Sequence, residues 1–143
     1  MSALDNLVRI GQLKPEPPAG DEIRSYLHKA SLYLRDAGLK GMSPAGRFML
    51  AYDAAHSLAF AALRAKGYRP DAGRGHRAVV FQTLDMTVGA PKELWVALDR
   101  YHTKRNASEY AGAVEASEAE ADDLLELARQ LEAQVLPRVG SAR

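Results

Sequence analysis

The chain contains no cysteine. That excludes disulfides, thiolate metal sites and cysteine nucleophiles, and it suits a reducing compartment. Long hydrophobic runs are missing as well. The longest strongly apolar stretch, Leu58 to Leu63, is six residues, whereas a helix spanning a bilayer needs about 20. A membrane protein is therefore not expected. The opening Met-Ser-Ala-Leu-Asp-Asn has no basic segment leading into an apolar one, so no secretory signal is expected and the cytoplasm is the expected location. An excess of one charge is also lacking. The formal net charge is +1, which gives no whole-molecule attraction to nucleic acid. Strand-like alternation, internal repeats, low-complexity tracts and a Gly-x-Ser-x-Gly elbow are all absent. Gly73-Arg74-Gly75 lacks both the P-loop pattern and a preceding strand, and reads as a solvated loop.

What is present fits one globular domain of 143 residues, with 47% hydrophobic and 26% charged residues. Pro15, Pro17 and Pro18 block helix propagation, so residues 1–19 are expected to form an extended arm that docks Leu7, Val8, Ile10 and Leu13 on the body or on a second subunit. Residues 20–137 are expected to form the bundle, and 138–143 a short tail. The first long helix is predicted over about 21–37, with Ile23, Tyr26, Leu27, Ala30, Tyr33 and Leu34 on one stripe. Ser43-Pro44 is an N-cap followed by a first-turn proline. It opens a helix carrying Phe48, Tyr52, Ala55, Ala59 and Leu63 inward, whose many alanines let neighbours approach on more than one side. A loop over 68–75, a helix over 76–88 and another over 91–110 follow. Ser117 and Glu120 have capping-box spacing and open the last helix. The predicted fold is all-α, an up-and-down bundle of four to five helices with short loops.

Charge is separated along the chain. Arg64, Lys66, Arg69, Arg74 and Arg77 form a basic stretch, later joined by Arg100, Lys104 and Arg105. Against it stand Glu115, Glu118, Glu120, Asp122, Asp123, Glu126 and Glu132. Such runs make either a steering patch or ordinary solvated helix faces.

The helix over 91–110 carries the most informative break in pattern. Its stripe begins with Leu94, Trp95 and Leu98, and the same face then reaches His102, Arg105, Asn106, Glu109 and Tyr110. Burying such groups is expensive unless they are paired or face a cleft. Either a polar network closes one end of the bundle or this is a functional site. Arg105 and Glu109, four apart, also suit a plain helix-surface pair. A second candidate group is Asp53 with His56 on the alanine-rich helix; Asp53 is placed to partner His56 or to face Arg105 from the neighbouring helix. Asp53, His56, His76 and His102 show no recognised metal spacing, so neither a metal nor a cofactor is expected.

The segment Arg105-Asn106-Ala107-Ser108-Glu109-Tyr110, near the end of a late helix and behind an alanine-rich second helix, resembles HEPN domains over roughly residues 20–136. The family's usual pattern is an arginine, often followed by Asn, Asp or His, with a histidine a few residues on. Here Tyr110 stands where that histidine is expected. The resemblance implies a homodimer with a metal-independent endoribonuclease-type site between two subunits, in a toxin–antitoxin or phage-defence setting. It would give Arg105 the phosphate, Asn106 an orienting role, and proton transfer to the family's histidine; His102, on the same face one turn before Asn106, is the candidate for that task from this sequence alone and not from the family pattern. Tyr110 would then donate a hydrogen bond or stack on a base. The resemblance equally allows a non-catalytic module that binds nucleic acid, nucleotide or a nucleotidyltransferase partner. The residues themselves also allow a helical interaction domain without a site.

Overall fold

In the computed structural model, backbone is described for residues 2–71, 76–110 and 115–140, and side chains for these except 76–78 and 108–110. Among the described residues are seven helices and one two-stranded ribbon: α1 Ala3–Arg9, β1 Leu13–Pro15, α2 Gly20–Ala37, α3 Pro44–Ala65, β2 Tyr68–Pro70, α4 His76–Gln82, α5 Leu84–Thr87, α6 Lys92–Tyr110 and α7 Glu118–Val139. The architecture is an all-α bundle built on the four long helices. None of the described helices is long and apolar enough to cross a membrane.

The caps form as the sequence demands. Ser43 Oγ accepts from the Gly46 amide at 3.0 Å with Pro44 in the first turn. Ser117 and Glu120 close a reciprocal capping box on α7. Helix α3 is the centre of the molecule. It packs mainly against α2 and α7, and residues on nearly all its sides are buried, including Phe48, Tyr52, Leu58 and Leu63. Its alanines permit this close approach on several sides, because a methyl group adds little width to a helix. Gly67, at φ +90°, then turns the chain into β2, a conformation that a residue with Cβ rarely adopts.

Four expectations are corrected. The first nineteen residues are not a wholly extended arm: Ser2 and Asp5 form a capping box that starts α1, and only the stretch after it is extended. Nor is 68–75 a loop throughout, because β2 pairs antiparallel with β1, placing Leu13 opposite Pro70 and Pro15 opposite Tyr68. The prolines sit at the ribbon's ends, where a missing N–H breaks few ladder bonds. Leu4 and Leu13 belong to the main core, so the arm is part of the body. The helix expected over 76–88 is broken at Thr83, whose hydroxyl bonds back to the Val79 carbonyl at 2.9 Å, a local alternative that bends helices. Finally, α7 continues through Pro137 to Val139, the proline forgoing its own amide bond to the preceding turn; the tail therefore starts later than residue 138.

Candidate functional site: the seam between helices α3 and α6

The face of α6 continues inward where its residue types become polar. Leu94 and Leu98 are buried, and so are His102, 6% exposed, and Arg105, 9% exposed. Asn106 is half-buried. Buried groups of this kind demand partners, and Tyr52 of α3 serves two of them. Tyr52 Oη lies 2.9 Å from His102 Nδ1, and Asn106 Nδ2 lies 3.1 Å from His102 Nε2. The imidazole is thus held at both nitrogens. The Arg105 guanidinium sits over the Tyr52 ring, 5.2 Å from its centroid, a cation–π contact worth about 2 kcal/mol when desolvated. Phe81 of α4 presents its ring to Tyr52 at 6.0 Å and to His102 at 6.1 Å.

The second predicted group sits beside the first. His56 is half-buried and lies between Tyr52 and Phe60 with near-parallel planes, 27° and 21° apart. It is therefore an aromatic member of the same seam. Asp53 is half-buried, and among the described residues no hydrogen bond or ion pair joins it to His56 or Arg105. Glu109 and Tyr110 belong to the last turn of α6, but their side chains, and with them the Arg105–Glu109 pair, lie outside the described residues. The structure therefore brings together His102, Arg105, Asn106 and His56 and leaves Asp53 at the edge.

Tyr52 was legible only as a core residue, yet it links the two buried groups of α6. Its signal was available: a tyrosine on a fully buried stripe must find a partner for its hydroxyl.

A second polar cluster was missed outright. Arg64, expected in a basic patch, is fully buried. Its Nε donates to Glu22 Oε1 at 2.7 Å, its Nη1 to the carbonyls of Glu16 and Tyr68 at 3.0 and 3.2 Å, and its Nη2 to the carbonyl of Pro17 at 2.8 Å. Arg69 donates to Glu16 and Glu22 at 2.8 Å each and lies over Phe60. The hydrogen bond from Arg64, then that from Arg69, holds the Glu22 carboxyl below its ordinary range. Arg69 does the same for Glu16, and both carboxylates push the Arg69 guanidinium up. Asp5, bonded by the Tyr68 hydroxyl, ties α1 to β2. These cations bind the arm to the body instead of offering charge to solvent. The acidic run is partly engaged too: Lys104 meets Glu120 at 3.1 Å and Arg47 meets Asp122 at 2.6 Å. Arg74 and Arg77 lie outside the described side chains.

One hollow, of about 500 Å³, is lined by Ala62, Lys66, Val88, Gly89 and Arg138 among others. It includes none of the polar residues of α6. Among the described residues, no group of three His, Asp or Glu side chains is arranged to hold a metal ion. Chemically, the α3–α6 seam offers one fixed imidazole, one guanidinium suited to phosphate or carboxylate, and a carboxamide at the boundary with solvent. Compared with known proteins, the chain matches no family model, no curated protein and no solved structure.

Proposed function

We propose that this chain is a HEPN-like cytoplasmic protein that acts on RNA, with its site at the polar end of α6. The observation that carries this reading is the convergence of His102 and Arg105 on Tyr52, with Asn106 at the other ring nitrogen of His102. In this reading Arg105 receives a backbone phosphate, and His102 takes the proton of a ribose 2′-hydroxyl as that oxygen attacks phosphorus. The 5′-oxygen of the next nucleotide leaves with a proton taken from water, and a cyclic phosphate remains. Imidazole suits this role because its ordinary pKa is near neutrality. A second copy of the chain supplies the opposite wall of the cleft, and an antitoxin would regulate the pair.

A second reading is favoured by the burial of His102 and the engagement of both its ring nitrogens. There the same surface binds nucleic acid, nucleotide or a nucleotidyltransferase without cleaving anything.

The test is incubation of purified protein with a mixed-sequence RNA in EDTA, with 3′-end analysis. The first reading expects cyclic-phosphate ends that vanish in Arg105→Gln at unchanged melting temperature. Intact RNA that is nevertheless retained by the wild type, and released in Arg105→Gln, selects the second. If Arg105→Gln, Asn106→Ala and Tyr110→Phe alter only stability, both readings fail.

A further inference from the structure

Two guanidinium groups stand over aromatic rings of α3. Arg105 lies over Tyr52, 5.2 Å from its centroid, and Arg69 of β2 lies over Phe60 at 5.5 Å. His56 sits between the two rings, 6.2 Å from Tyr52 and 6.5 Å from Phe60, with planes 27° and 21° from its own. Phe60 follows Tyr52 by eight residues, about 12 Å of helix axis. Both His56 and Phe60 are half-buried, so the row of rings reaches solvent between the two cations.

The two carboxylates that meet Arg69 are held unequally. Glu22 is gripped twice, by Arg64 Nε at 2.7 Å and by Arg69 Nη2 at 2.8 Å. The Glu16 carboxylate meets Arg69 at 2.6 Å but Arg64 only at 3.3 Å. Its side chain is 38% exposed, against 27% for Arg69 and Glu22 and 0% for Arg64, so it is the outermost of the four. The backbone of Glu16 is anchored separately: its amide donates to the Gly67 carbonyl at 2.9 Å and its carbonyl accepts from Arg64 at 3.0 Å. The carboxylate is therefore able to swing into water without releasing the arm. Two cations and one anion then remain, Arg64, Arg69 and Glu22, with a net charge of +1.

From this we infer that Arg69 is a second phosphate-binding residue, and that the Glu16 carboxylate stands in for the phosphate while no RNA is bound. The inference rests on the RNA-directed reading, which puts the first phosphate on Arg105. Carboxylate and phosphate oxygens meet a guanidinium in the same two-pronged way, so one replaces the other without moving Arg69. Glu22 stays in place and keeps the guanidinium over Phe60. A strand lying along the rings of α3 reaches Arg69 a few nucleotides from Arg105, since a stacked strand advances about 3.4 Å per nucleotide. An RNA of two nucleotides held at Arg105 is too short to do so.

The experiment is fluorescence anisotropy of the full chain with labelled single-stranded RNA of about two and about eight nucleotides, over a salt series. Glu16→Gln removes the competing carboxylate and leaves the backbone anchors of the arm. It should tighten the longer RNA roughly threefold at low salt, the scale of an exposed ion pair. The salt slope of that RNA should steepen by about 0.7, one phosphate on a single strand, with the dinucleotide unchanged. Arg69→Gln should flatten the slope by the same amount, and in the double variant the gain from Glu16→Gln should vanish. If the variants lacking Arg69 fail to fold, Glu16→Gln alone decides. Equal tightening of both lengths overturns the proposal, because it marks a general charge effect. So does a longer RNA whose binding ignores Glu16→Gln but is lost in Arg105→Gln, an outcome that leaves the RNA reading standing. If neither length binds to the wild type or to Glu16→Gln, both fall.

Discussion

Replacing Arg64 by alanine should release the N-terminal arm before it unfolds the bundle. The guanidinium is fully buried and meets two carboxylates, Glu22 at 2.7 Å and Glu16 at 3.3 Å, and three carbonyls, two of them in the arm at Glu16 and Pro17. Glu22 keeps Arg69 as a partner after the substitution, so its charge is not stranded, but the three carbonyls lose their donor. With no charge stranded, the cost falls on the carbonyls, and each buried acceptor left unmade costs about 1–3 kcal/mol unless water reaches it. A loss of about 3–5 kcal/mol is therefore expected, which at this chain length lowers the melting temperature by roughly 6–20 °C. Arg64→Lys keeps the charge but lacks the planar fork that serves several acceptors at once, and should recover only part of the loss. Urea unfolding gives the global figure. Hydrogen exchange gives the local one: amides of β1, which pair with β2, should exchange well before those of α3. A variant within about 1 kcal/mol of the wild type, or one whose arm stays as protected as α3, would mean that Arg64 does not hold the arm to the body.

The same cluster predicts acid sensitivity. The Glu22 carboxyl is held below its ordinary value in the folded state, so the unfolded chain binds its proton first; this stabilisation is present above about pH 4.5 and is lost as pH falls through the folded value. Urea midpoints of Glu22→Gln should be lower than wild type at neutral pH and should fall less between about pH 5 and pH 3; parallel curves would remove the basis of the claim. Burial, and then the hydrogen bond to Asp123, push the Tyr101 phenol up to about 12. A phenolate absorbance titration compared with Tyr101→Phe should therefore show the missing group only in the last step, and its absence from an earlier step would contradict the assignment. Ser117→Ala removes the acceptor of the α7 capping box and should cost about 1 kcal/mol in urea unfolding, with no change at the seam; a neutral effect would mean that the cap is redundant.

The elements that could be read along the chain are those whose signals are local. Ser43-Pro44 and Ser117 with Glu120 announce helix starts because capping needs residue types at fixed short spacings. The stripe of α3 is legible because its period repeats four times between Phe48 and Leu63. The polar continuation of α6 was legible for the same reason, as an extension of Leu94 and Leu98 to His102 and Arg105 on one face. The β1–β2 ribbon was not, because three residues with a proline at one end cannot display alternation, and their pairing joins distant parts of the chain. Arg64 was misread because, in a run of cations, nothing local distinguishes the one that meets Glu22 from those that meet water. Thr83 was overlooked because a hydroxyl bonding back to its own helix leaves no mark in hydrophobic periodicity.

A helix lined with alanines packs closely but specifies little, since small side chains interlock poorly and tolerate sliding. Helix α3 has that problem along most of its length, and its two buried polar contacts supply what the alanines do not. Arg64 accepts only one placement of the arm, since its donors must meet Glu22 and the carbonyls of Glu16, Pro17 and Tyr68 together. Tyr52 does the same for α6, because its hydroxyl must meet His102 while its face meets Arg105. Advancing α6 by one residue would turn it by about 100° and lose both contacts at once, while the apolar contacts could largely be remade. The candidate site is therefore a property of the α3–α6 pairing and not of the α6 sequence. The seam's polar geometry and the register of the bundle stand or fall together at Tyr52.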